Sequence, residues 1–285
     1  MPVVFVLIWS TGFVVARLGM PHAPPMTFLA WRFALSAALF VLWVAAARAA
    51  WPRDRMQVMH LAVTGILMHG GYLGGVWAAV KLGLGAGTAA LIVGLQPLLT
   101  AVWMSLQGPA HRVMPRQWLG LALGLAGLLL VVYHRLAAGQ AQAVNLALAV
   151  LALASITVGT LYQKRWVAPC DVRSAAVVQL LAAFAVTAPL ALLETELMVW
   201  HRDLQIAMAW SVVALTLGGS SLLYLLIQRG AATRVTSLMY LVPPCTAVLA
   251  WLLFDEAITA RVVAGMALTA TGVGLVLREP RTSPR

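Results

Sequence analysis

Arg32 is the one charged side chain that falls well inside an apolar stretch, in Ala30-Trp-Arg-Phe33. An arginine near the bilayer centre costs at least about 3 kcal/mol on insertion scales, so its position needs a physical reason. Two readings are open. The side chain reaches outward along its methylene stem, or it meets an anionic group at a gate or on a solute. His69 is the next candidate, set among Gly70, Gly71, Gly74 and Gly75 with Tyr72 one turn away. An imidazole there can bind a solute or carry a proton, and it can equally be a buried side chain bonded to a neighbouring helix. Pro97, beside Gln96, and the pair Pro243–Pro244 form a third group. A proline inside a helix removes one backbone hydrogen bond and clashes with the carbonyl four residues earlier. The carbonyls of Val93, Met239 and Tyr240 are then free at membrane depth, where they are tolerated only against protein or a wet cavity.

The same residues exclude other chemistry. The six histidines (22, 60, 69, 111, 134 and 201) are scattered, and all eight acids lie in predicted loops, at helix ends or in the tail. A membrane-embedded enzyme needs clustered catalytic groups, and none is apparent. Cys170 and Cys245 are too few and too separated for a disulfide framework or a metal site. No cofactor or metal is expected. If protons are coupled to any movement, His69 is almost the sole carrier the apolar stretches offer.

The 285 residues are 62% hydrophobic and 9% charged, against about 25% charged in a soluble domain. Lipid must therefore be the solvent for most of the chain. The formal net charge is +11, but the basic residues sit in short loops between apolar runs, which fits membrane topology rather than nucleic-acid binding.

A spanning helix needs about 20 apolar residues. Ten candidates are present, at 2–19, 25–47, 58–80, 86–107, 115–134, 144–163, 173–193, 206–228, 232–254 and 260–277. The first has no basic leader before it and no small-residue cleavage site after it, so it reads as a retained span, not a signal peptide. The chain also repeats itself at an offset of 147. Gly12 falls on Gly159, Arg32 on Gln179, Gly71 on Gly218, Trp77 on Tyr224, Lys81 on Gln228 and Pro97 on Pro244; after a two-residue slip, Gly120 falls on Gly265 and Gly127 on Gly272. Two copies result, 1–140 and 141–278, with a polar tail at 279–285. With both termini cytoplasmic, 13 Lys and Arg fall inside and 5 outside, the bias expected of an inner (plasma) membrane protein. An odd number of spans per copy turns the second copy over. The fold class predicted is an all-α integral membrane protein: ten transmembrane helices as two inverted five-helix repeats.

Such a duplication predicts a site where the copies meet. Substrate contacts are expected from His69, Tyr72, Trp77, Gln96, Tyr224, Tyr240, Trp9 and Ser10, with Arg32 and Gln179 as gate or anion contact and Pro97, Pro243 and Pro244 as helix breaks. Trp103, Tyr162 and Trp251 lie on spans expected to border the same interface, whereas Trp51, Trp166 and Trp200 read as belt residues. Gly120, Gly124 and Gly127, and Gly265, Gly272 and Gly274, form small-residue stripes for close helix packing, or a homodimer contact if those helices are peripheral.

The pattern resembles the EamA-type transporters of the drug/metabolite transporter superfamily. The resemblance rests on Trp9 to Arg17, Ala30 to Phe33, Ala89 to Pro97, Pro244 with Phe254-Asp-Glu256, and Gly265 to Gly272. It implies a ten-helix fold around a central cavity and the export or exchange of small metabolites, often amino acids or related compounds. Where the family often closes its fourth span with an acid, this chain has Gln107-Gly-Pro-Ala. The expected function is a secondary transporter of small amino-acid-like or amphipathic solutes by alternating access; efflux of drugs or toxic cations is the alternative, and a non-transporting scaffold the remote one.

Overall fold

The computed structural model describes residues 2–105, 115–137, 142–219, 222 and 241–277. The described residues are helical, without a strand. In chain order they form α1 (Pro2–Gly19), α2 (Pro25–Ala46), α3 (Arg55–Gly65), α4 (Tyr72–Lys81), α5 (Ala86–Val93), α6 (Gln96–Ser105), α7 (Pro115–Ala137), α8 (Ala143–Trp166), α9 (Val172–Ala191), α10 (Arg202–Trp210), α11 (Val242–Phe254) and α12 (Ala260–Leu277). A π-helical stretch, Ile66–Gly71, joins α3 to α4, and a second, Ser211–Gly219, prolongs α10. Six stretches are long and apolar enough to cross a membrane, and α1, α11 and α12 are shorter apolar helices. The later part of the eighth predicted span and the first part of the ninth, with Tyr224 and Tyr240, lie outside the described residues.

Helix starts differ from expectation where a cap moves them. The third span begins at Arg55, because Asp54 accepts hydrogen bonds from the backbone N–H of Met56 (3.1 Å) and Gln57 (3.3 Å). The eighth begins at Arg202, with His201 Nδ1 accepting from Asp203 N–H at 3.3 Å. The fourth is two helices: α5 ends at Val93 and α6 starts at Gln96, so the break expected from Pro97 is present.

Packing joins the two halves. α7 lies along α12, α2 along α9, α4 along α8 and α5 along α11. The contacts run antiparallel and are exchanged by the repeat offset. A Cβ on Gly127 would stand 2.4 Å from the Gly265 carbonyl oxygen, and one on Gly272 would stand 2.3 Å from that of Gly120. Gly120 and Gly265 are repeat partners, as are Gly127 and Gly272, so each contact is the image of the other. Only glycine permits backbones this close. These two stripes are filled from within the chain, which removes the homodimer contact as a use for the crossing residues Gly120, Gly124, Gly127, Gly265 and Gly272.

Acids from the second half cap helices of the first. Pro24 leaves the start of α2 without a side-chain cap. Glu194 supplies one, accepting from Met26 N–H (2.9 Å), Thr27 N–H (2.7 Å) and Thr27 Oγ1 (2.8 Å). Asp255 takes a left-handed conformation (φ 54°) at the end of α11, and Glu256 then accepts from Ala86 N–H at the start of α5 (3.0 Å). Lys81 donates to the Met20 carbonyl (2.9 Å) and pairs with Glu196 (2.5 Å). Helix N-termini favour carboxylates, and these links gather at one end of the bundle.

Candidate functional site

Two cavities meet in the middle of the bundle, sharing Trp9, Phe13, Tyr72 and Ile156 as a common wall. One, about 100 Å³, lies against the helix breaks, with Val93, Gly94, Gln96 and Pro97 on one side and Val242, Pro243 and Pro244 on the other. The other, about 120 Å³, lies against Arg32, Phe33, His69, Trp77 and Thr216. Each is several times the roughly 10–15 Å³ that one water requires. We call them the break lobe and the arginine lobe.

The break lobe is built by backbone. With no N–H at Pro97, α5 stops at Val93, and Leu98 and Leu99 donate to the Leu95 carbonyl instead (2.9 and 3.2 Å). Pro243 and Pro244 do not kink a described helix interior as expected. They stand in the first turn of α11, where a fixed φ and a missing donor cost nothing. The break touches the start of α11: a Cβ on Gly94 would lie 3.0 Å from Pro243 Cγ. Gln96 lines this lobe and donates from Nε2 to Thr160 Oγ1 (2.9 Å), while Thr160 Oγ1 donates to the Ile156 carbonyl (2.7 Å).

The arginine lobe is built by side chains on two widened helical turns. His69 lies in the π-helical stretch Ile66–Gly71, and Thr216 in Ser211–Gly219. The two stretches overlap under the 147-residue offset, and His69 falls on Thr216. A π turn inserts a residue and turns a side chain inward, a common device at functional sites. Arg32 Nη2 donates to Thr216 Oγ1 at 3.4 Å, and the side chain of Gln179 stands beside His69. Arg32 is the repeat partner of Gln179, so these two contacts are images of each other. The same construction, a pair across the halves, is occupied by Arg32 with Thr216 at one place and by Gln179 with His69 at its repeat image.

Arg32 does not reach out to the interface. It is 7% exposed, it lines the lobe, and its Nε has no hydrogen-bond partner among the described residues. Its Cζ lies 5.9 Å from the centroid of Trp77, which stacks on Phe28 at 4.3 Å, and His69 meets Phe33 edge-on at 6.0 Å.

Several candidates lie elsewhere. Ser10 lines neither lobe; its Oγ donates to the Val6 carbonyl (2.7 Å) and its own carbonyl accepts from Thr246 Oγ1 (3.1 Å). Gln179 is the partner of His69 and not part of either wall. Trp103 and Trp251 are 50% and 51% exposed and point away from both lobes. Tyr162 bonds His60 Nδ1 at 2.7 Å and, with Trp103, borders a separate outer groove. Trp51, Trp166 and Trp200 are exposed, as belt residues are. Reasoning from sequence missed Phe13, Ile156 and Thr216. The last was readable, because the offset that pairs Gly71 with Gly218 also pairs His69 with Thr216.

The EamA-like transporter family matches residues 2–133 and again 144–278. The chain belongs to this family. It is thus a multi-pass membrane protein of a transporter family. Among relatives, the "Probable amino-acid metabolite efflux pump" of Escherichia coli (strain K12) is 23% identical over 283 residues, covering 94% of this chain and 90% of that protein. Its namesake in Salmonella typhimurium is 26% identical over 160 residues, 56% of this chain and 51% of that protein. The "Uncharacterized inner membrane transporter YedA" of E. coli K12 is 29% identical over 125 residues, 44% of this chain and 40% of that protein. The chain thus matches only about half the length of the Salmonella relative and less of YedA. A solved structure titled "Crystal structure of protein" shares the fold (TM-score 0.66, 21% identity) over 97% of this chain and 94% of that one.

Proposed function

We propose that this EamA-family chain exports small amino-acid-like or amphipathic metabolites across the inner membrane by alternating access. Ten spans form two five-helix halves related by a two-fold axis in the membrane plane, with both termini cytoplasmic. The observation that carries this reading is that the α5–α6 break of the first half meets the proline-led start of α11 of the second half at one cavity: Gly94–Pro97 against Val242–Pro244. Broken helices at a repeat interface let each half move as a unit around a central site. The exchanged, antiparallel contacts of α7 with α12 support the inverted relation, and the 13-to-5 distribution of Lys and Arg supports the orientation. The printed names of the E. coli and Salmonella relatives support the solute class.

Reconstituted vesicles test it. Amino acids and cationic drugs are offered with and without a pH gradient, and saturable movement of an amino-acid-like solute is expected. A folded protein that moves none of them overturns the proposal. If movement depends on the pH gradient, His69→Ala should abolish that dependence; an unchanged dependence removes His69 as the proton carrier.

A further inference from the structure

We infer that the arginine lobe is a carboxylate subsite: the solute presents one anionic group to Arg32 and packs its carbon skeleton against Trp77 and Phe33. This deepens the transporter reading and rests on it for the word solute, though not for the binding.

Three observations carry it. Arg32 is nine-tenths buried and lines a cavity of about 120 Å³. A guanidinium has five N–H donors in a rigid fork. Among the described residues Arg32 makes one long hydrogen bond, to Thr216, and Nε makes none. Among the described residues no carboxylate is within reach to neutralise it. Asp54 and Asp171 cap helices, Glu194 and Glu256 cap α2 and α5, Glu196 pairs with Lys81, Asp203 lies beside His22 and His201, and Asp255 ends α11. The remaining acid, Glu279, is in the polar tail.

A buried charge without a partner is costly in a folded chain, and here the cost has a clear alternative. The repeat partner of Arg32 is Gln179, a neutral residue that takes the same place in the construction, beside His69. The second half shows that the scaffold does not require a cation at this position. A carboxylate fits the fork bidentately, which a point charge would not exploit. Apart from His69, Tyr72 and Thr216, the rest of the lobe is ring and aliphatic surface, suited to an uncharged skeleton. A cationic drug would meet a fixed like charge in a site of low dielectric. The chemistry therefore selects monocarboxylates and amino-acid zwitterions over amines.

The test uses the full chain in detergent and in proteoliposomes, with matched pairs of one skeleton: hydrocinnamate against phenethylamine, and isovalerate against isopentylamine. For the wild type, at least one carboxylate should raise the melting temperature and drive counterflow, and its amine should do neither. Arg32→Met should weaken carboxylate binding on the order of 10- to 100-fold, yet melt no lower than wild type without ligand, because an unpaired buried charge is gone. Arg32→Lys should fall between, keeping charge without the fork. Amines that bind the wild type as well as carboxylates, no binding by any probe, or Arg32→Met binding carboxylates within about twofold of wild type would each overturn the proposal. If Arg32→Met does not fold, the matched pairs on wild type and Arg32→Lys decide. Carboxylate binding without movement of any solute keeps the subsite and overturns the transporter reading; movement of amines alone does the reverse.

Discussion

The two lobes share a wall and differ little in volume, yet they are made in opposite ways. The break lobe obtains its polarity from backbone. Pro97 withholds a donor inside the fourth span, the resulting break touches the proline-led start of α11, and Gln96 is tied to Thr160. The arginine lobe obtains its polarity from His69 and Thr216 on two widened turns and from Arg32 on α2, a cation with one long hydrogen bond among the described residues. In the first, polar groups are present because the helix must bend. In the second, they remain although bending does not require them. On the proposed reading the difference separates a hinge from a binding site: the α5–α6 break belongs to the motion, and the charge found in one half belongs to the ligand.

The comparison can be broken or sharpened in order of expected size. Trp77 is 1% exposed, stacks on Phe28 and floors the arginine lobe. Trp77→Ala should lower stability by about 3–5 kcal/mol, read as the melting temperature in detergent, and weaken solute binding with it. Full stability in that variant would mean the lobe is not a packed pocket. Pro97→Ala acts on the other lobe. It restores a donor toward the Val93 carbonyl and should stiffen α5 onto α6, raising stability by about 1 kcal/mol while slowing transport roughly tenfold with solute affinity kept. Unchanged transport would remove the hinge role. The smallest effect is outside both lobes. Asp171 accepts from Arg173 through its side chain (3.0 and 2.7 Å) and its backbone N–H (2.9 Å), and the Arg173 side-chain hydrogen bonds, with help from the backbone, hold its carboxyl below the usual carboxylate range against the opposing desolvation. A lowered folded value means that this stabilisation is fully present above about pH 4 and is lost as pH falls through the folded value. Asp171→Asn should flatten the acid limb of a melting-temperature profile slightly and leave transport at neutral pH unchanged. A large loss of transport would tie the end of α9 to the lobes.

Much of the fold was legible because membrane solvent leaves few choices. Apolar length set the spans, Pro97 set the break in the fourth, and the glycine echo of α7 and α12 showed how closely they could pack. The acids were legible as loop residues but not as caps, because Glu194 and Glu256 act on helices 168 and 170 positions away. Within the site, Tyr72, Trp77 and Gln96 were legible as wall residues. Ser10 was not, because a hydroxyl can turn back onto its own helix, and Trp103 and Trp251 were not, because an apolar helix shows no inward side when lipid and protein are equally apolar. The repeat alone determined that Arg32 faces Gln179 in the plan of the molecule. Only the tertiary structure decided that each is paired across the halves, with Thr216 and with His69, and that the pairing leaves the arginine buried with donors to spare. Offset and composition are properties of the chain, whereas whether a charge is satisfied depends on which side chains the packing brings within hydrogen-bond reach.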